Sequence, residues 1–247
     1  VVFWSDLLAD SWTHLTECVR SGRTAAQIME SEGIASRWST APDSNAIFRA
    51  VMGTGPTENY MPIVRQWDFG NRGTVADLGG GGGALLAAIL SSHPRLKGML
   101  VERPESIEAA KPRFEATELG SKCKLIAADL RKDVPAGANV YILKHVLHGY
   151  DDAVAIDILR NCRKAMDADG HLLIIEFVLP DVISEPDSKL ELRLMSDLNM
   201  LAVTGGKERS ASEWSKLLQA SGFIAERIIP VAEMGVSIIE ARRLEGT

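Results

Sequence analysis

The segment Thr74-Val-Ala-Asp-Leu-Gly79-Gly-Gly81-Gly-Gly83-Ala-Leu sets a carboxylate, Asp77, directly before a run of glycines. Glycines at such a turn let the backbone bend tightly and approach a ligand, and the helix that follows offers unpaired N–H groups. The spacing Gly79-x-Gly81-x-x-Ala84 also satisfies the dinucleotide fingerprint, so a nicotinamide cofactor is one reading. Asp77 argues against it, because a carboxylate inside Asp-x-Gly-x-Gly-x-Gly suits a cationic amino-acid group and not a pyrophosphate. Two more acids follow at comparable places: Glu102 after the apolar run Gly98–Val101, and Asp129 after Cys123–Ala127. Glu102 could clamp a ribose diol, and Asp129 could accept from an adenine amino group.

One histidine stands where it could move a proton. His148 follows the apolar run Val140–Leu143 and can face the same cleft, and imidazole is the side chain that exchanges protons near neutral pH. Glu176 sits in the run His171–Phe177, where an unpaired carboxylate is costly, so a partner is expected. Glu208 precedes a helix starting at Ser210, where it could alternatively serve the positive end of the helix dipole. His14, His93, His145 and His171 read as structural, with His145 still on its strand. There is no HExxH and no paired CxxC, so no metal site is expected.

These groups need a scaffold of alternating strands and helices. Thr74–Leu78, Gly98–Val101, Cys123–Ala127, Val140–Leu143 and His171–Phe177 read as strands, with Ala84–Ser91, Pro104–Thr117 and Asp152–Met166 as helices between them. Continuous apolar strands of this kind form a parallel sheet covered on both faces. Two helices (Ser188–Val203, Ser210–Ser221) and two strands (Phe223–Ile229, Val236–Ala241) complete a doubly wound α/β domain over residues 71–247. Residues 1–70 read as helical: a helix capped by Ser5 through Leu8, Trp12, Leu15 and Val19, ended by Gly22, then a piece at Ile47, Phe48 and Val51.

The bulk properties exclude several classes. A net charge of −6 without a long basic run disfavours nucleic acid and anionic membranes as partners. The longest apolar run, Ala84–Leu90, falls far short of the roughly 20 residues of a membrane span. Three widely spaced cysteines fit reduced thiols in a cytoplasmic protein.

The combination of Asp77–Gly83, Glu102, Asp129, Tyr141-Ile-Leu-Lys-His-Val-Leu-His148 and Gly205-Gly-Lys-Glu-Arg-Ser resembles the class I methyltransferases. More narrowly, it is similar to the plant caffeic-acid-type and bacterial polyketide O-methyltransferases. The resemblance implies S-adenosylmethionine as cofactor and a small aromatic or polyketide hydroxyl as acceptor. It places the donor's methionine part on Asp77, Gly79 and Gly81, the ribose on Glu102, and the adenine on Asp129 and Leu130 with Lys144 near its edge. It makes His148 the general base, flanked by Glu176 and Glu208, and draws the acceptor pocket from Met52, Asp197, Asn199, Met200 and Val203. It implies a homodimer built on a helical domain of which residues 1–70 would be a remnant and linker. The family's usual Asp-Trp after this histidine is Gly149-Tyr150 here, which bears on positioning and acceptor choice. The Asp-Asn pair of magnesium-dependent catechol enzymes is missing after the fifth strand. A protein of this fold that uses the donor without transferring methyl, as in hydroxylation, and an NAD-dependent oxidoreductase are the alternative readings.

Overall fold

The computed structural model describes residues 8–35, 44, 47, 55–70, 72–183 and 187–244. The candidate residue Met52, the cap Ser5, and Phe48 and Val51 lie outside them.

The strands are β1 (Thr74–Leu78), β2 (Lys97–Glu102), β3 (Cys123–Ala127), β4 (Val140–Lys144), β5 (His171–Glu176), β6 (Val178–Leu179), β7 (Arg209–Ser210), β8 (Phe223–Val231) and β9 (Val236–Arg243). Seven form one sheet in the order β3-β2-β1-β4-β5-β9-β8, parallel from β3 to β5, with β9 antiparallel to both neighbours. The order reverses direction at β1, between β2 and β4, and the cleft outside that reversal is where open parallel sheets bind ligands. This is the doubly wound α/β sheet that the sequence predicts, with an antiparallel strand added at one side. The short pair β6–β7 stands apart from it, joining Val178 to Arg209 and Leu179 to Ser210.

Helices cover both faces, as the unbroken apolar strands require. Val75, Val140, Ile142, Leu173 and Ile175 face one core, shared with α5 (Ala84–Ser92), α6 (Pro104–Glu115) and α4 (Met61–Gln66). Ala76, Leu78, Tyr141, Leu143, Leu172 and Ile174 face the other, shared with α7 (Asp152–Ala165) and α9 (Ala211–Ala220). Alternation along each strand sends successive side chains to opposite cores. Ile63, Val64, Trp67 and Phe69 are buried in the first core, so residues 61–69 pack with the sheet.

The N-terminal helices are shorter than the sequence suggests. One continuous helix through Val19 is expected; instead α1 (Ala9–Thr13) stops and α2 (Leu15–Ser21) restarts at His14. Thr13 Oγ1 donates to the Asp10 carbonyl at 2.8 Å and His14 Nδ1 lies 2.8 Å from the same oxygen, which competes with the helical bond that carbonyl would take. Gly22 ends α2 in a left-handed conformation, as expected. The helix α3 (Ala25–Ser31), not anticipated, is closed by a capping box between Thr24 and Gln27. These helices pack on α8 (Ser188–Thr204) through Cys18, Ala25, Ile28 and Ala202, while Leu8 meets Trp12 and Val203. Cys18, Cys123 and Cys162 are free and buried. No helix among the described residues is long and apolar enough to cross a membrane.

Candidate active site

Asp77 lies within β1 and is fully buried, and neither of its carboxylate oxygens has a hydrogen-bond partner. Burial pushes its carboxyl up to about 7, against the pull of Lys144. The turn beyond it depends on glycine: Gly79 and Gly81 hold φ of 69° and 57°, and a Cβ on Gly79 would sit 2.8 Å from the Val146 side chain. Lys144 closes β4 with its Nζ 5.3 Å from the Tyr60 ring centre. Burial lowers its ammonium's pKa, and Asp77 and Glu176 act in the opposite direction.

Glu102 ends β2 and accepts from the Arg103 amide at 2.6 Å. Asp129, two residues past β3, is gripped by Arg131 through 2.9 and 2.8 Å bonds, which hold its carboxyl down near about 2. Leu130 packs beside Val146 at the rim of the second core, and its carbonyl accepts from Asn161. The three acids therefore stand at three adjacent strand ends, as read from the sequence, in different environments: Asp77 sealed in, Glu102 half-buried, Asp129 paired with a guanidinium.

His148 lies in a 3-10 turn, Leu147–Gly149, just after β4. Its Nδ1 is 2.9 Å from Glu208 Oε1 and 3.6 Å from Glu176 Oε2. An ionised carboxylate only accepts, so Nδ1 carries the proton and the Nε2 lone pair is left free. Burial works to lower the imidazole's basicity, but the charges of Glu176 and Glu208 overcome it and the pKa is raised. Glu208 also accepts from Ser196 Oγ at 2.7 Å, and its backbone amide donates to Asp197 Oδ1 at 2.9 Å.

Glu176 does more than flank the ring. Its Oε1 accepts from the amides of Val146, Leu147 and His148 at 3.0, 3.1 and 3.4 Å, so it organises the whole turn. Its Oε2 lies 3.1 Å from His145 Nδ1. Burial would raise its carboxyl, yet the neighbouring imidazoles and these amides prevail and lower it.

His145 is a correction to the sequence reading. It is not on the strand, which ends at Lys144, but holds a φ of 51°, alone among the described non-glycine residues in being positive. Such a conformation is strained for a residue with a Cβ and is held here by the bond to Glu176. Its ring lies 5.2 Å from that of His148. One ligand-capable atom from each of His145, His148 and Glu176 falls within 4.8 Å of the others. Metal-ligand patterns in the sequence gave no sign of this grouping. Those nitrogens hydrogen-bond carboxylates in this structure.

The α8 candidates divide by face. Asp197 points to Glu208, and burial raises its carboxyl. Asn199 accepts from Trp12 Nε1 at 3.2 Å, and Val203 packs beside Leu8 and Trp12, so both adjoin the N-terminal helices. Met200 is half-buried on the same helix, with its carbonyl capped by Gly205. Ser196, Tyr60 and Arg209 were missed. For Arg209 the only signal was its place beside Glu208 in the motif; its burial in the β6–β7 pair, where an arginine must bind something, is seen only in the structure.

The sheet order, the glycine turn on β1 and the acid at each adjoining strand end define a methyltransferase-type domain. Residues 12–224 match the family model described as an O-methyltransferase domain, and the chain belongs to that family. It is 38% identical over 232 residues to a phenazine O-methyltransferase of Lysobacter antibioticus, covering 94% of this chain and 66% of that protein. It is 35% identical to an O-demethylpuromycin O-methyltransferase of Streptomyces alboniger, covering 94% of this chain and 62% of that one. The chain thus spans a little under two thirds of the length of these relatives. The solved structure of a mitomycin 7-O-methyltransferase superposes with a TM-score of 0.83 at 34% identity, covering 95% of this chain and 67% of the other. A neocarzinostatin-pathway O-methyltransferase, solved with S-adenosylmethionine and 2-hydroxy-5-methyl naphthoic acid, gives 0.80 at 31%, covering 95% and 68%.

Proposed function

We propose that the protein transfers a methyl group from S-adenosylmethionine to a hydroxyl of a small aromatic or polyketide-type molecule, with His148 as general base. The observation that carries this reading is the hydrogen bond of His148 Nδ1 to the buried Glu208, which puts the proton of the neutral imidazole on Nδ1 and leaves Nε2 as the acceptor.

The donor fits the residues present. Asp77 offers two buried, unpartnered oxygens where an ammonium would satisfy them, next to glycines that admit close approach. Glu102 would take the ribose hydroxyls, and Asp129 with Leu130 the adenine. Lys144, whose charged neighbours are Asp77 and Glu176, would stand between the donor and the base. Bound there, S-adenosylmethionine supplies an electrophilic methyl on a sulfonium that leaves as a neutral thioether.

The chain's own part is positioning and proton transfer. A phenol of pKa about 10 is mostly un-ionised at neutral pH, so removing its proton raises its nucleophilicity. His148 Nε2 takes that proton; Glu208 and Glu176 stabilise the imidazolium that results. Asp197, Asn199, Met200 and Val203 of α8, with Met52, would line the acceptor side, and a homodimer is expected of the longer protein. Like the naphthoic acid of the neocarzinostatin enzyme, the acceptor would be a flat hydroxylated ring.

The test is incubation with S-adenosylmethionine and a panel of phenols and hydroxylated polyketides, scored by mass spectrometry for a methyl ether and for S-adenosylhomocysteine. Product formed equally well in EDTA is expected. Donor binding without a methyl ether from any acceptor would favour the non-methylating reading, and thermal protection by NAD alone would overturn both.

A further inference from the structure

We propose that Arg209 is a positioning residue for His148: its buried guanidinium, with Gly206 pressed on the same turn, locks the peptide that carries the base. The inference rests on the reading of His148 as base.

Arg209 is fully buried on β7, with its guanidinium 5.3 Å from the Trp214 ring centre. Nη1 donates to the Leu147 carbonyl at 3.0 Å and Nη2 to the Tyr150 carbonyl at 2.9 Å, so the fork spans His148 and Gly149 from both sides. Nε and Nη2 also bind Asp152 Oδ1, at 3.0 and 2.8 Å. Glu176 meanwhile takes the amides of Val146, Leu147 and His148 from the end of β5. The turn is therefore held with a carboxylate at its N–H end and a guanidinium at its C=O end, the polarity that the peptide dipoles favour. A lysine could supply the charge but not the planar fork that reaches two carbonyls and a carboxylate at once.

Gly206 completes the clamp. A Cβ there would lie 2.0 Å from the His148 carbonyl oxygen and 2.7 Å from the Gly149 carbon and the Tyr150 nitrogen. These are backbone atoms, so any side chain at 206 must displace the turn. Residues 206–209 thus brace the His148 turn three ways: Gly206 against its carbonyl, Glu208 on its ring and Arg209 on the carbonyls of Leu147 and Tyr150. Leu147 and Tyr150 pack on the second core, while nothing lies within 4 Å of where a Gly149 side chain would be, so at His148–Gly149 it is the clamp from β7 that fixes the peptide.

The experiment compares Arg209→Lys, Gly206→Ala and His148→Ala in the full chain, reading kcat, donor affinity and the pH dependence of kcat. Arg209→Lys should lower kcat by about 10- to 100-fold, the cost of displacing a catalytic group by a fraction of an ångström to about one. Donor affinity should stay within about 2-fold. The acidic limb of kcat should move to lower pH, because an imidazole drawn away from Glu176 and Glu208 loses the charges that sustain its basicity. Gly206→Ala shifts the same turn without touching a charge and should give the same signature, which keeps the test decisive if Arg209→Lys does not fold. A pH limb unmoved in the folded variants, whether kcat holds or falls along with donor affinity, would overturn the inference and leave Arg209 purely structural. If His148→Ala itself keeps full rate, it is the base assignment that fails.

Discussion

Asp77 and Glu176 are both fully buried carboxylates at the C-terminal edge of the same sheet, and the protein surrounds them in opposite ways. Glu176 is surrounded by donors: three backbone amides and an imidazole hold it ionised. Asp77 has no donor at full hydrogen-bond geometry; the Leu86 amide and Lys144 pull on it too weakly to offset burial, and its carboxyl is pushed up to about 7. Around Glu176 the chain's own contacts satisfy the carboxylate, while one oxygen of the neighbouring Glu208 is left without a partner. Around Asp77 both oxygens lack a hydrogen-bond partner and the pull of Lys144 does not offset burial, which is the feature that the proposed donor ammonium would answer.

The contrast can be broken at each acid. Glu176→Gln should destabilise the ligand-free protein by about 3–5 kcal/mol, because its amide cannot satisfy the same donors and imidazoles; urea or thermal unfolding reads this. Asp77→Asn should do the reverse above neutral pH and raise the melting temperature of the ligand-free protein. The same change should weaken donor binding by about 2–5 kcal/mol, measured by calorimetry. Opposite signs on stability sharpen the comparison; equal losses would erase it.

The pH dependence separates the two sides further. The carboxyl of Asp77 is raised in the folded state, so its contribution to stability is complete below its ordinary value and is lost as pH climbs through about 7. Melting-temperature protection by S-adenosylhomocysteine should therefore grow between about pH 6 and about pH 8, as the ionised acid seeks its partner. His148 is also raised, so its pairing stabilises fully below the ordinary imidazole value and fades above its folded value. Neutral imidazole appears as pH rises through that raised folded value, and the rate should rise with it. Smaller effects come next: Glu208→Gln should cut the rate by about 10-fold with donor affinity intact. Asp129→Asn, at a partly exposed acid already paired with Arg131, should weaken the donor by about 1 kcal/mol or less.

Much of this was legible in the sequence. The strands from Thr74 to Glu176 read almost to the residue, because a doubly covered parallel sheet demands unbroken apolar runs. The acids Asp77, Glu102 and Asp129 were visible as interruptions where those runs end. His148 and its two carboxylates were found through resemblance and not through spacing, since 28 and 60 residues of chain separate the partners. His145 could not be placed, because neither propensity nor periodicity reports a left-handed φ imposed by a distant carboxylate. The break at His14 was hidden for a related reason: two side chains compete locally for one carbonyl within an otherwise helical pattern. Arg209 was marked only by its place in the Gly205–Ser210 motif: the two-residue strand pair that buries it has no apolar run to announce it, and the carbonyls it binds belong to a turn and carry no pattern of their own.

The most direct test of His148 as base is to measure rate and donor affinity side by side in His148→Ala. The rate on an un-ionised phenol should fall by about 10² to 10⁴-fold while donor affinity holds, and an acceptor whose hydroxyl is already ionised should recover part of the loss. Near-normal turnover of an un-ionised phenol by His148→Ala would contradict it and leave proximity of donor and acceptor to carry the reaction.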